Sequence, residues 1–153
     1  MVVHARLQVL NQREVPGGPG PAEGQTYQRL IGAEDRPTDR VRLGRATYRS
    51  GALEQLHWHP IEALYYVISG SAIVRDVEGH EFEVGPGSLV YAPAGLEGAH
   101  EWDVRDSLEL LDIRATNETS SKLQFTVDRT TLQSSISVEE LARRDGLSFR
   151  SHY

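Results

Sequence analysis

Glycine and proline cut this chain into short pieces, and that punctuation constrains the fold more than any other feature. From Thr26 onward the apolar and β-branched residues gather at 27–32, 41–49, 53–59, 64–68, 71–77, 81–84, 88–91, 108–114 and 123–127. Many short strands at regular spacing, separated by Gly or Pro turns, indicate an all-β sandwich or barrel. Glu78-Gly79 reads as a hairpin turn and Gly85-Pro86-Gly87 as a second corner. Upstream, Pro16-Gly17-Gly18-Pro19-Gly20-Pro21 breaks the backbone. Residues 1–25 are therefore expected to form an N-terminal strand or arm with a Pro/Gly-rich loop, residues 26–130 a β-barrel, and residues 131–153 a tail. Within the tail, Ser137 and Glu140 have capping-box spacing and Gly146 stands at a C-terminal cap, which predicts a short helix.

A length of 153 residues suits one domain, and 39% hydrophobic residues suits a globular core. There is no cysteine, which excludes a disulfide scaffold, thiolate metal sites and a thiol nucleophile, and leaves six histidines for metal or proton chemistry. The net charge of −6 argues against a nucleic-acid partner, whose footprint is a basic stripe. No apolar run approaches the roughly 20 residues of a membrane span, and residues 1–10 contain no uninterrupted signal-like apolar region. A cytoplasmic protein without membrane partners is the expectation.

The chemically distinctive segment is His57-Trp58-His59-Pro60-Ile61-Glu62. On a strand His57 and His59 point to one face, separated by roughly 7 Å of rise, so their imidazoles can converge on one ion. They stand in a frame that begins with Gly51 and closes with Gly70. A second frame follows, Gly85 and Gly87 leading to Pro93-Ala94-Gly95 and then His100. Together the two frames, over residues 40–115, resemble the paired motifs of the cupin superfamily, in a small, RmlC-like single domain of the cupin-2 type. The resemblance implies a double-stranded β-helix, also called a jelly-roll or cupin barrel.

Both frames depart from the family pattern. The glutamate ligand of the first motif falls on Ala63, with Glu62 one place early. A one-residue slip turns a side chain to the opposite face, so Glu62 reaches an ion only if a bulge follows Pro60. In the second motif the histidine position is taken by Gly98 and His100 comes two residues later, which preserves its inward parity.

The resemblance therefore implies a metal site of His57, His59 and His100. A divalent ion is expected there, iron or zinc first, with nickel, copper and manganese also known among such proteins. Tyr65 shares the inward parity counted from Ala63, and Gln55 shares that of His57. Tyr65 is expected to act as an acid or to orient an oxyanion, and Gln55 to contact a metal-bound water. Trp102 has the parity of His100 and is expected to stack on a flat ligand in the substrate pocket. Trp58 should face outward and His80 should be exposed. The implied function is a metal-dependent enzyme acting on a small, aromatic or polyketide-like substrate as a dioxygenase, isomerase or cyclase. The alternative is a non-catalytic binding or sensor protein with a degenerate metal site. A homodimer joined through N-terminal strands is also expected.

Overall fold

A computed structural model describes residues 5–116 and 123–136 of the chain. The predicted helix in the tail and His4 lie outside the described residues. Ten strands are described: β1 (Gly18–Pro19), β2 (Gln25–Ile31), β3 (Arg42–Tyr48), β4 (Leu53–Trp58), β5 (Ala63–Asp76), β6 (Glu81–Val84), β7 (Leu89–Ala92), β8 (His100–Arg114), β9 (Phe125–Val127) and β10 (Ser134–Ser135). Short 3₁₀ turns occupy Gln12–Glu14 and Leu96–Gly98. Every pairing among the described strands is antiparallel.

The sheet curls because its two longest strands each serve two sets of neighbours. One edge of β8 pairs with β3 through residues 108–114 and with β4 through residues 100–103, while the other edge pairs with β5 along most of its length. In turn β5 pairs with β7 near its start and with β6 near its end. The sequence reads as two strands broken at Ser69-Gly70, but β5 runs through as one, with register shifts between Val67 and Ala72. Gly70 is required there by a close approach. Its φ is 85°, and a Cβ would lie 1.7 Å from the Ser107 carbonyl oxygen.

The turns follow their local chemistry. At Glu78-Gly79, Gly79 takes a φ of 89°, and the Asp76 carboxylate accepts from the backbone N–H groups of Glu78 and His80, each at 2.9 Å. Part of the Pro/Gly run is ordered against the sheet, with Gly18 and Pro19 opposite Tyr27 and Thr26.

Alternation fills the interior. Along β8 every second residue is buried from His100 to Val104 and again from Leu108 to Arg114. Trp102, Val104, Leu108 and Leu110 pack there with Val67 and Val74 of β5 and Ala46 and Tyr48 of β3. Burial of each large apolar side chain stabilises the fold by about 1.5–3 kcal/mol. The same alternation carries His100, Asp112 and Arg114 inside, so the apolar barrel encloses a polar lining.

Candidate metal centre

A bulge in β4 decides which of its side chains point inward. Glu54 lies opposite Trp102 and His57 opposite His100, so three steps on β4 are matched by two on β8. The extra residue reverses the alternation. Glu54 and His57 are both buried, whereas Leu53 and Gln55 are exposed. The expected placement of Gln55 beside His57 is thus corrected, and Glu54 takes the inward position.

His59 follows the end of β4. His100 opens β8 after the 3₁₀ turn Leu96–Gly98, which absorbs the two residues added to the second motif. Only glycine fits at the end of that turn, since a Cβ on Gly98 would lie 1.8 Å from the Pro93 carbonyl oxygen. The Gly95 N–H donates to the His59 carbonyl at 2.9 Å and ties the two histidine loops together.

The three imidazoles meet. Ring centroids are 4.4 Å apart for His57 and His100, 5.1 Å for His57 and His59, and 5.8 Å for His59 and His100. One nitrogen from each lies within 4.8 Å of the others, and all three residues are buried. Each Nδ1 faces a backbone carbonyl: Gln55 at 2.6 Å for His57, Leu123 at 2.9 Å for His59, and Gly98 at 2.8 Å for His100. A carbonyl only accepts, so each Nδ1 carries a proton and donates; Nε2 of His59 and of His100 keeps its lone pair, while Nε2 of His57 faces Glu54 Oε1 at 3.4 Å. Burial holds His59 well below the usual imidazole range, helped by the Arg114 charge. Burial, with His57 beside it, lowers His100 to about 3. Neutral imidazoles are the form that ligates, so these three residues could hold a metal ion.

Beside them stands a second polar group. The Tyr65 hydroxyl is 3.1 Å from His100 Nε2 and 3.4 Å from His59 Nε2, and accepts from Arg114 Nη2 at 3.2 Å. Burial raises the Tyr65 pKa, keeping the phenol protonated. Burial opposes the Arg114 charge, but Asp112 and Tyr65 outweigh it and raise its pKa. Arg114 Nη1 pairs with Asp112. Trp102 stands edge-on to Tyr65, with centroids 5.3 Å apart. Tyr48 donates to Glu54 Oε2 and receives a hydrogen bond from Gln25 Nε2 at 2.8 Å. A cleft of about 550 Å³, counting its open mouth, is lined by His59, Tyr65, Trp102, Arg114, Glu54 and Tyr27 among others.

Glu62 lies at the surface and accepts from the Tyr91 hydroxyl at 2.7 Å, while Ala63 is buried. No bulge aims Glu62 inward. Trp58 stacks on Phe125 at 4.2 Å, and the His80 side chain is exposed against Asp76. Sequence reasoning missed Glu54, Asp112 and Arg114. Asp112 and Arg114 share the parity of His100, a signal present in the sequence. The β4 bulge that turns Glu54 inward leaves no such mark.

The cupin-2 domain model matches residues 44–114, the stretch that holds both histidine frames. The chain belongs to the cupin superfamily. No curated protein sequence matches it. Among solved structures, this cupin is similar to the polyketide cyclase RemF from Streptomyces resistomycificus, with 22% identity, a TM-score of 0.66, and coverage of 74% of this chain and 81% of that one. Ectoine synthase from P. lautus shares 15% identity at a TM-score of 0.62, covering 76% and 83%. KdgF from Halomonas sp. shares 21% identity at a TM-score of 0.57, covering 71% and 94%. These likenesses support the barrel fold.

Proposed function

We propose that this cupin is a metal-dependent enzyme that catalyses isomerisation or ring closure of a small organic substrate bearing an enolisable or anionic oxygen, aromatic or polyketide-like in kind. The observation that carries the reading is the Tyr65 hydroxyl, a protonated donor 3.1 Å from His100 Nε2 and 3.2 Å from the Arg114 guanidinium. A divalent ion held by His57, His59 and His100 would supply Lewis acidity toward a substrate oxygen.

The remaining steps belong to the side chains. Three neutral imidazoles bring no negative charge, so a substrate oxygen that carries one is favoured. Tyr65 hands its proton to carbon or oxygen of the enolate, and Arg114 stabilises the phenolate, which then recovers a proton from the substrate carbon that loses one, so that the phenol is restored. Asp112 keeps Arg114 aimed at Tyr65. Trp102 walls the cleft and helps to exclude water. Isomerisation and ring closure both use a proton donor at this point, whereas oxygenation does not require one. Similarity to a polyketide cyclase supports the same class.

The test is proton exchange α to a carbonyl. Zinc-loaded protein in D₂O, given a panel of small 1,3-diketones and β-keto esters, should accelerate exchange seen by proton NMR. Tyr65→Phe should slow it by about 10²–10⁴-fold, the usual worth of a positioned acid. Retention of a panel compound without exchange or conversion would overturn the reading. It would favour the non-catalytic binding protein, to which the alanine at position 63 already lends support.

A further inference from the structure

We infer that Arg42 and Tyr27 form a carboxylate-binding site in the cleft beside the histidines, and that the substrate carries a carboxylate as well as its enolisable oxygen. The site stands on residues outside the metal centre. Its assignment to the substrate rests on the function proposed above.

The first observation is a charge imbalance. Pairing of β3 with β8 sets Arg42 directly opposite Arg114, and both residues are buried. Like charges opposite each other on paired strands repel, and a buried charge without a counter-charge is costly. The carboxylate beside them is already engaged, since Asp112 pairs with Arg114 Nη1 while Arg114 Nη2 donates to Tyr65. Glu54, another buried carboxylate of the cleft, accepts from Tyr48 and lies 3.4 Å from His57. Arg42 has no carboxylate partner among the described residues, and its Nε is buried without a hydrogen bond there. Two guanidiniums thus stand against Asp112 alone, and one positive charge is unmatched.

The Tyr27 hydroxyl marks the same place. It too is buried without a hydrogen-bond partner among the described residues. Gly44 makes room for it, since a Cβ there would lie 2.0 Å from the Tyr27 oxygen. On the inward face of β3, Gly44 is the position next to Arg42, and it lies directly opposite Asp112. Burial raises the Tyr27 pKa, and the Asp112 charge adds to the rise, so the group is a phenol that can donate. Arg42 and Tyr27 line the same cleft as His59, Tyr65 and Arg114.

A carboxylate answers this set. It is a monoanion whose two oxygens accept from the forked N–H groups of a guanidinium and from a hydroxyl. A phosphate would bring further negative charge against Asp112. An enolisable oxygen at the histidines with a carboxylate at Arg42 describes a keto acid or an aromatic acid.

Paired probes test the inference. Levulinate, benzoate and phenylacetate are titrated calorimetrically against their methyl esters, into the protein with and without zinc. At least one acid should bind more than about tenfold tighter than its ester, the usual worth of hydrogen bonds to a charged group, in both forms of the protein. Arg42→Met should abolish that preference and Tyr27→Phe should reduce it. Should R42M fail to fold by circular dichroism, Arg42→Lys keeps the charge but loses the fork, and is expected to cut the preference. Acids and esters that bind alike, or a preference unchanged in the Arg42 variants, overturn the inference. A preference seen only with zinc would place the carboxylate at the histidines and overturns it as well. Proton exchange without any acid preference leaves the proposed function standing, whereas an Arg42-dependent preference without exchange leaves this site standing and overturns the enzyme.

Discussion

Two groups of side chains meet in the barrel interior, where Tyr65 and Arg114 touch His59 and His100, and they are held in place by different means. In one group His57, His59 and His100 are each oriented by a main-chain carbonyl. In the other, Tyr65, Arg114 and Asp112, and likewise Glu54 and Tyr48, are oriented by one another. Main-chain carbonyls are set by the sheet and its loops, so each imidazole is aimed separately. The side-chain network is balanced only as a whole, and loss of one member leaves its partner buried and exposed to the full cost. The fold thus joins a ligand set that tolerates changes around it to a reactive network that does not.

Substitutions should separate the two groups. The largest effect is expected for His59→Ala, which removes one separately aimed ligand. Zinc content by atomic absorption should fall from roughly one equivalent to less than about a tenth, with the fold retained by circular dichroism. Retained zinc would remove the distinction. Next comes Arg114→Met, which leaves the Asp112 carboxylate buried without its Arg114 partner. Urea unfolding should show a loss of about 3–5 kcal/mol, largely recovered in the Arg114→Met/Asp112→Leu double variant. Simple additivity would show that the two do not act as a pair.

A smaller effect concerns pH in the metal-free protein. Folding holds His59 and His100 below the unfolded imidazole value of about 6.5. Above that value both states are neutral and neither residue contributes. As pH falls from about 6.5 toward the His100 value of about 3, the unfolded state takes up protons first. Stability should then drop by about 1.4 kcal/mol per pH unit for each histidine. A flat profile in urea titrations across that range would contradict the burial argument. The least effect belongs to His80, whose pKa is raised by Asp76 at the surface. Its contribution has the opposite sign, present below about 6.5 and lost as pH rises. His80→Ala should leave the urea midpoint unresolved from wild type.

Alternation explains both what was legible in the sequence and what was not. Tyr65 and Trp102 lie inside because β5 and β8 keep a regular period at those points. Arg114 and Asp112 follow the same period, but a charged pair ordinarily marks a solvated face, and only the barrel shows it enclosed. Gln55 misleads because nothing in Glu54-Gln55-Leu56 announces an extra residue; the bulge arises from pairing with β8, a contact distant in sequence. Ser69-Gly70-Ser71 looks like a turn, yet the glycine is there to admit the Ser107 carbonyl. The strands Gly18–Pro19 and Ser134–Ser135 contain no apolar residue pattern to announce them.

The central claim is that the three Nε2 atoms converge on one divalent ion. Anomalous diffraction from a crystal of the protein soaked in zinc, collected on both sides of the zinc edge, tests it directly. The account predicts one strong peak about 2.0–2.1 Å from Nε2 of His57, His59 and His100. No peak among the three imidazoles, or a peak only at the exposed pair of His80 and Asp76, would contradict it.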